Sequence, residues 1–501
     1  MTISKRSILL LLSLTLWSCT KQAHTAPYIN FSEIESGQLG EPTVDPYLPP
    51  TRVADQPIFT PTPSPPKPLP TLRTEDIYYS VQWGDSIKSI ALRYNLLPEV
   101  IIEANQISDP SLIYYGQQLL LPAPQISETG PGYKIIPDSE LVRSPYTVRF
   151  QIDAFINNWP GYLKDYQEEV DEEIVTGAEI VARIAADYSV NPRLLLAIIE
   201  YQSGWLTTQE GKNNPFPLNY KESGYEGLYH QLAWAADELN LGYYLWQVKG
   251  VGSWTCKDGI TVPIDATINA GTAGVQQLFA RLLPHRKWLD AVGEDGFVNT
   301  YTNLFGYPFD YNYTPLVPAD LVQPELQLPF EDGVPWLFTG GPHGGWDNGS
   351  AWAALDFAPA NKDLGCSNSD DWVVAVADGP IVRSDHGAVV QSIDGDPYDQ
   401  TGWAILYMHI ETRDRVEVGT HLAAGDRIGH PSCEGGISTG SHLHIARRYN
   451  GEWIPADQDL PFVLDGWVSQ GLGYAYQGLL VRDDQVIQAE DSKTEVNRIQ
   501  R

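Results

Sequence analysis

Seven of the ten histidines of this 501-residue chain fall between His343 and His444, and two of them, His442 and His444, stand two positions apart in the run GSHLHIAR. On a β-strand, residues i and i+2 project from one face, so these two imidazoles can converge on one small object. Three further elements precede them in order: GPH at His343, LDFAP at Asp356 and YMH at His409. Imidazole nitrogens and a carboxylate oxygen are the donor set of a catalytic Zn²⁺ site, which takes three protein ligands and leaves one position open for water. Hydrolysis at such a site also needs a group to take the water proton and donors to steady a tetrahedral oxyanion. The residue types therefore point to metal-assisted hydrolysis.

The elements that must position these residues are short β-rich runs, VVAVADGPIV, AILYMHI and HLHIAR, separated by Gly, Asp and Ser turns over residues 325 to 470. The expected fold there is mainly β and antiparallel. The four elements in this order, with the VVAVADGPIV strand and its DG turn, resemble the lysostaphin-type metallopeptidases (the LytM and β-lytic group) over about 120 residues. That resemblance implies that His343, Asp356 and His444 ligate Zn²⁺, with His409 and His442 beside the water and the scissile carbonyl. A second aspartate competes, because Asp347 in HGGWD gives the commoner H-x-x-x-D spacing. Asp356-Phe357-Ala358-Pro359 has the family's apolar, small, Pro context, whereas Asp347-Asn348-Gly349-Ser350 reads as a turn, so Asp356 is favoured. His386, His421 and His430 fall outside the motifs and read as surface or structural histidines. Trp346 and Trp352 read either as cleft residues or as packed ones.

Residues 76–123 show a βααβ pattern in YYSVQWGDSIKSIALRYNLLPEVIIEANQISDPSLIYYGQQLLLP. Asp85 is placed to cap a helix carrying Ile87, Ile90, Ala91 and Tyr94 at helical spacing, and Gln118–Leu121 reads as a strand. The stretch resembles a LysM module through its GDS turn, IAxRY helix, AN pair and GQxLxLP end, which implies binding of N-acetylglucosamine-containing glycans such as peptidoglycan. Residues 145–320 read as mainly helical. ARIAADYSVNPRLLLAIIEYQSGW resembles the opening of a lysozyme-like lytic transglycosylase domain, but Gln202 stands where that family has its catalytic acid. An amide cannot protonate a glycosidic oxygen. Glu200 is about 200° round the helix from that position, so another carboxylate, such as Glu210 or Glu222, would have to take over as acid. This domain is expected to be non-catalytic.

At the N-terminus, Lys5 and Arg6 precede the apolar run Ile8–Trp17, too short to span a membrane as an ordinary helix. It closes on LWSC, which resembles a lipobox with Cys19 as the lipidated residue. Residues 1–19 are expected to be a lipoprotein signal peptide, and 20–75 a Pro-rich linker able to act as an extended tether. Residues 124–144 read as a second linker and 471–501 as a tail. An exported chain permits a disulfide, and Cys366 with Cys433 is the pair expected, leaving Cys256 free. A formal net charge of −31 argues against nucleic acid as a partner. The function expected is an exported, lipid-anchored zinc endopeptidase that cuts peptide cross-links of peptidoglycan, in the periplasm or cell wall. The rival is a wall-binding regulator without catalysis, since relatives of such enzymes can lose their metal ligands. The complete His343, Asp356, His409, His442 and His444 set argues against it.

Overall fold

The computed structural model describes residues 45–52, 57–58, 60–82, 85–360, 365–492 and 494–501. The signal segment, Cys19 and the first part of the Pro-rich stretch lie outside the described residues, as does Gly84 of the GDS turn. Among the described residues no helix is long and apolar enough to cross a membrane.

The β-rich region is built on one nine-stranded sheet with every pairing antiparallel. Its strands lie in the order His421–Leu422, Gly379–Asp385, Ala388–Ser392, Trp403–Met408, Leu443–Tyr449, Ala354–Pro359, Trp336–His343 and Arg498–Ile499, with Glu452–Trp453 paired off this path to Leu443–Tyr449. Every residue of Trp403–Met408 is buried, because both faces of the sheet are covered. Leu355, Phe357, Ile405, Tyr407, Leu443 and Ile445 form one core on the outer face. Ala354, Ala388, Ala404, Leu406, Met408 and Ala446 on the other face share a single core with the helical region. A strand buried on both sides reads as a continuous apolar run rather than an alternating one, which is the pattern of AILYM.

The helical region contributes Gly177–Asp187, Pro192–Ser203, Leu228–Gln247 and Ala270–Leu282. Thr176 and Glu179 close a reciprocal capping box at the first of these, and Gly204, with φ of 67°, ends the second in the left-handed conformation. The region also carries two antiparallel hairpins, Gln167–Val170 with Glu173–Thr176 and Ser253–Thr255 with Ile260–Pro263. The module at 76–123 has the expected strand–helix–helix–strand order, with Ile77–Ser80 paired antiparallel to Gln118–Leu121. Its first helix is capped by Ser86 in a box with Ser89, and Asp85 is not the cap. The Asp85 carboxylate instead accepts from Gln82 N–H, the Tyr79 hydroxyl and Arg93.

Three segments read as linkers or tail are part of the folded body. In 124–144, Gln125–Ile126 pairs in parallel with Ile260–Pro263, and Ile135, Ile136, Leu141 and Val142 are buried in the helical core. In the Pro-rich stretch, Ser64 N–H donates to Thr267 O, Lys67 N–H donates to Ala266 O, and Leu69 packs on that core. In 471–501, Gly478–Arg482 extends a second antiparallel sheet and Arg498–Ile499 pairs with the strand that ends at His343. Leu480 and Ile499 are buried there. Composition hides these roles, because Pro-rich and polar segments can be anchored by a few backbone bonds and isolated apolar side chains.

Helix and sheet regions meet at Glu452. Gln247 Nε2 donates 2.6 Å to Glu452 Oε1 and the Tyr243 hydroxyl donates 3.3 Å to Oε2. Complete burial pushes this carboxyl up to about 7, with Asp138 adding to the rise, against the lowering effect of those two hydrogen bonds. The folded state thus holds the proton more tightly than the unfolded chain, whose pKa is near 4.5. The stabilisation is full below pH 4.5 and declines as pH rises through 7, by about 3 kcal/mol in total. Glu452→Gln should flatten the fall in urea midpoint between pH 4.5 and 8. An unchanged pH dependence in that variant would show that the carboxyl is ionised in the folded protein throughout.

Candidate metal centre

Three adjacent strands bring the candidate ligands together. Ala354–Pro359 lies between the other two, and its Asp356 stands opposite His444 of Leu443–Tyr449, which has Met408 opposite it on its other side. Asp356 stands opposite Gly340 of Trp336–His343. The register along that last pairing shifts twice, between Phe338 and Gly340 and between Gly340 and His343, and these irregularities re-aim the strand end that bears His343. Gly340 is required here because a Cβ would lie 2.5 Å from Asp356 Oδ2.

His343 Nε2, His444 Nδ1 and Asp356 Oδ1 face one another: the nitrogens are 3.0 Å apart, and the oxygen lies 3.2 Å from the first and 3.3 Å from the second. Among the described residues, His343, Asp356 and His444 form a buried group with the ligand geometry for a metal ion. Asp356 Oδ1 has no hydrogen bond of acceptable geometry despite those short approaches. A buried carboxylate oxygen without a proton donor, ringed by imidazole nitrogens, fits a cation better than it fits a hydrogen-bonded cluster.

The opposite ring nitrogens fix the tautomers. His343 Nδ1 lies 2.8 Å from Gly341 O and His444 Nε2 lies 3.1 Å from Gly345 O. A carbonyl only accepts, so those nitrogens carry the protons and the lone pairs of His343 Nε2 and His444 Nδ1 point inward. Tyr476 stacks on the His343 ring, centroids 4.2 Å apart. Burial pushes His343 down, but the Asp356 charge outweighs it and the imidazole is raised. Burial pushes Asp356 up, yet His343 and His442 hold it well below the usual carboxylate range. His444 is lowered by burial, which its contact with Asp356 only partly offsets.

His409 and His442 flank this group, with ring centroids 4.5 Å apart. His442 precedes its strand, its Nδ1 lies 2.8 Å from Gly440 O, and its Nε2 is 3.8 Å from Asp356 Oδ1. His409 takes a left-handed φ of 65° just past Trp403–Met408, and its Nδ1 donates to Glu434 O at 2.8 Å. Each therefore turns an unprotonated Nε2 toward the site. Burial, with His442 and His444 alongside, lowers His409 to about 3, so it is a neutral acceptor and not the imidazolium that a developing oxyanion would meet. The Cys366–Cys433 disulfide staples residues 365–367 to the loop that carries Glu434 and Gly440, while Cys256 is free and buried. Ser441 completes that staple by donating from its N–H to Gly365 O and from its hydroxyl to Ser367 O.

Asp347 is not part of the group. Its Oδ1 accepts from Asn348 N–H and its Oδ2 from the Tyr188 hydroxyl, in a turn with φ of 56°. His386 faces Asp385, His421 is exposed, and His430 is buried under Trp372, all outside the site. Trp346 packs toward Tyr188 and under Arg383, and Trp352 is half-buried. In the helical region the Glu200 carboxylate accepts from Leu206 and Thr207 N–H and from the Thr207 hydroxyl, so it caps a turn. Glu210 and Glu222 are exposed. Sequence reasoning missed Tyr476, which lies 32 residues beyond His444 and carries no local signal, and the carbonyls that set the tautomers.

Three family models match the chain in order: LysM domain over residues 79–122; LasA, N-terminal domain over 134–317; and peptidase family M23 over 362–455. The last contains His409, His442 and His444, while His343 and Asp356 precede it. Protease LasA of Pseudomonas aeruginosa is 25% identical over 290 residues, covering 53% of this chain and 65% of that protein. The beta-lytic metalloendopeptidase of Lysobacter enzymogenes is 26% identical over 129 residues, covering 26% of this chain and 71% of that protein. The solved structure of the M23 metalloprotease pseudoalterin is 22% identical, covers 34% of this chain and 96% of its own, and has a TM-score of 0.28. The chain thus aligns with less than two thirds of the length of LasA.

Asp356→Asn should abolish tight metal binding, because an amide oxygen is an uncharged and poorer ligand, while Asp347→Asn should leave metal content unchanged. Gly340→Ala, which drives a methyl against the Asp356 carboxylate, should lower metal affinity as well. Elemental analysis after dialysis checks all three, and metal loss confined to Asp347→Asn would reverse the ligand assignment.

Proposed function

We propose that this chain is an exported zinc endopeptidase that cleaves peptide cross-links of peptidoglycan. The observation that carries the reading is the convergence of His343 Nε2, Asp356 Oδ1 and His444 Nδ1 beside two imidazoles with inward lone pairs. Zn²⁺ held by those three atoms would polarise a peptide carbonyl and bring the pKa of a bound water toward ~7. The chain's own residues do the rest. His442, with 18% of its side chain exposed, has its Nδ1 proton committed to Gly440 O and its Nε2 free to take a proton from the attacking water. The protonated ring can return that proton to the departing amine. His409 stays neutral, so its Nε2 accepts a hydrogen bond and orients the water or the peptide N–H.

The relatives' names, LasA protease and beta-lytic metalloendopeptidase, support proteolysis. The LysM match supports glycan binding, which would raise the local concentration of wall substrate. Cys19 is the proposed lipid anchor, placing the enzyme in the periplasm or cell wall. The helical region props the sheet and does not cut glycan: Gln202 offers an amide, bonded to Asn219 Nδ2, and Glu200 is committed to its turn.

Purified protein should release free amino groups from peptidoglycan without new reducing or anhydro-sugar ends, as read by mass analysis of the fragments. His442→Ala should keep its metal and lose activity by about 10²–10⁴-fold, and His444→Ala should lose both. Full metal content in His444→Ala, or anhydro-muropeptides that persist in it, would overturn the assignment.

A further inference from the structure

The 76–123 module has no slack on either side. Before it, the Pro-rich segment is bonded to the helical region at Ser64 and Lys67, Lys67 Nζ lies over the Trp246 ring, and Pro70 O packs against Gly252. Arg73 then donates to Leu121 O and Pro122 O, closing entry onto exit. After it, Gln125–Ile126 joins the strand Ile260–Pro263, and Ser127 and Gly130 continue the bonding to Thr261 and Pro263. The module itself is docked by Asn95, the left-handed cap of its first helix. Asn95 Nδ2 donates to Ser253 O and Oγ at 2.7 Å each, and the Thr255 hydroxyl donates to Asn95 O at 2.8 Å. All three attachments fall on residues 246–267, so the module is held at one orientation and does not swing on a tether.

That docking sets the module against the metal centre through a turn at Leu472–Gln477. Arg93, bonded to Tyr79 and Asp85 inside the module, lies 5.6 Å over the Tyr474 ring. Two residues on, Tyr476 stacks on His343 and is pinned by paired backbone bonds, Gly341 N–H to Tyr476 O and Tyr476 N–H to Pro342 O. Tyr474 and Tyr476 are 52% and 54% exposed. Tyr474, under Arg93 of the module, and Tyr476, on His343, thus place two exposed tyrosines two residues apart between the module and a candidate metal ligand. Tyrosine rings present an apolar face and a polar tip, which suits the mixed CH and hydroxyl surface of a pyranose.

We propose that the LysM module, the Tyr474–Tyr476 ridge and the metal centre form one composite surface, along which a single glycan strand lies while its own peptide stem enters the site. This rests on the peptidase reading above and goes beyond it: the module acts as a fixed ruler in register with the cut, and cleavage occurs on the strand that the module holds.

The test uses the full chain carrying His442→Ala, so that strands bind uncut, and peptidoglycan strands of increasing saccharide number bearing peptide stems. Affinity should rise in a step at the length that spans module and ridge, and stay flat beyond it. Tyr474→Ala should erase about three- to tenfold of that step, with the thermal midpoint unchanged, and Tyr474→Phe should restore it. A smooth rise with length, or a step untouched by Tyr474→Ala, overturns the proposal. Turnover is read separately with His442 intact: an affinity step without peptide cleavage would remove the peptidase reading and leave the composite surface standing.

Discussion

A single buried carboxylate sets the terms for the site. Asp356 keeps one oxygen away from water and from every hydrogen-bond donor, which costs several kcal/mol unless positive charge faces it. Two imidazoles face it, and the mutual shifts of Asp356 and His343 express that attraction. A divalent cation answers the same need more fully, and ion binding to the folded state alone adds stability by mass action. The register of the three central strands follows, because a one-residue slip at either pairing would turn His444 or Asp356 to the opposite face.

The next layer outward is backbone. Four histidines each give one ring proton to a carbonyl, at Gly341, Gly345, Gly440 and Glu434. Ring orientation is therefore set by loop geometry, and loop geometry by packing. A Cβ on Gly345 would lie 2.6 Å from Trp453, and one on Gly341 would meet the backbone of Gly478. Trp453 in turn donates from its indole to Tyr188 O and from its N–H to the Tyr244 hydroxyl. The helical region thus reaches His444 through two intermediaries, Trp453 and Gly345.

What was legible in sequence was whatever had a local period or a compact motif. GPH, LDFAP, YMH and HLH hold residues that the sheet brings together, and it is Asp356, of the Phe-Ala-Pro context, that the structure groups with His343 and His444. The main helices stand inside the 145–320 span that reads as mainly helical. Pairing partners were not legible: nothing in Arg498–Ile499 says that it will lie beside the His343 strand, and nothing in 124–144 says that it will be core. Asp85 looked like a cap because its type and position fit, but Ser86 had Ser89 three residues on to reciprocate. Tyr476 is visible only after the hairpin Trp467–Arg482 folds over Pro342.

The alanines of the sheet explain why the helical region persists in a chain whose chemistry lies elsewhere. Ala354, Ala388, Ala404 and Ala446 present a shallow apolar face that shares its core with the helices. Small side chains let a neighbouring layer approach closely, but they cannot cover the sheet themselves. An exposed face of this kind would be a patch for aggregation, and Met408, next to His409, would lie within it. Met408 is buried in that shared core, and His409 beside it is itself buried, which is the leading cause of its lowered pKa. The helical layer therefore serves the site by covering the sheet that carries it, although His343, Asp356, His409, His442 and His444 all lie outside that layer.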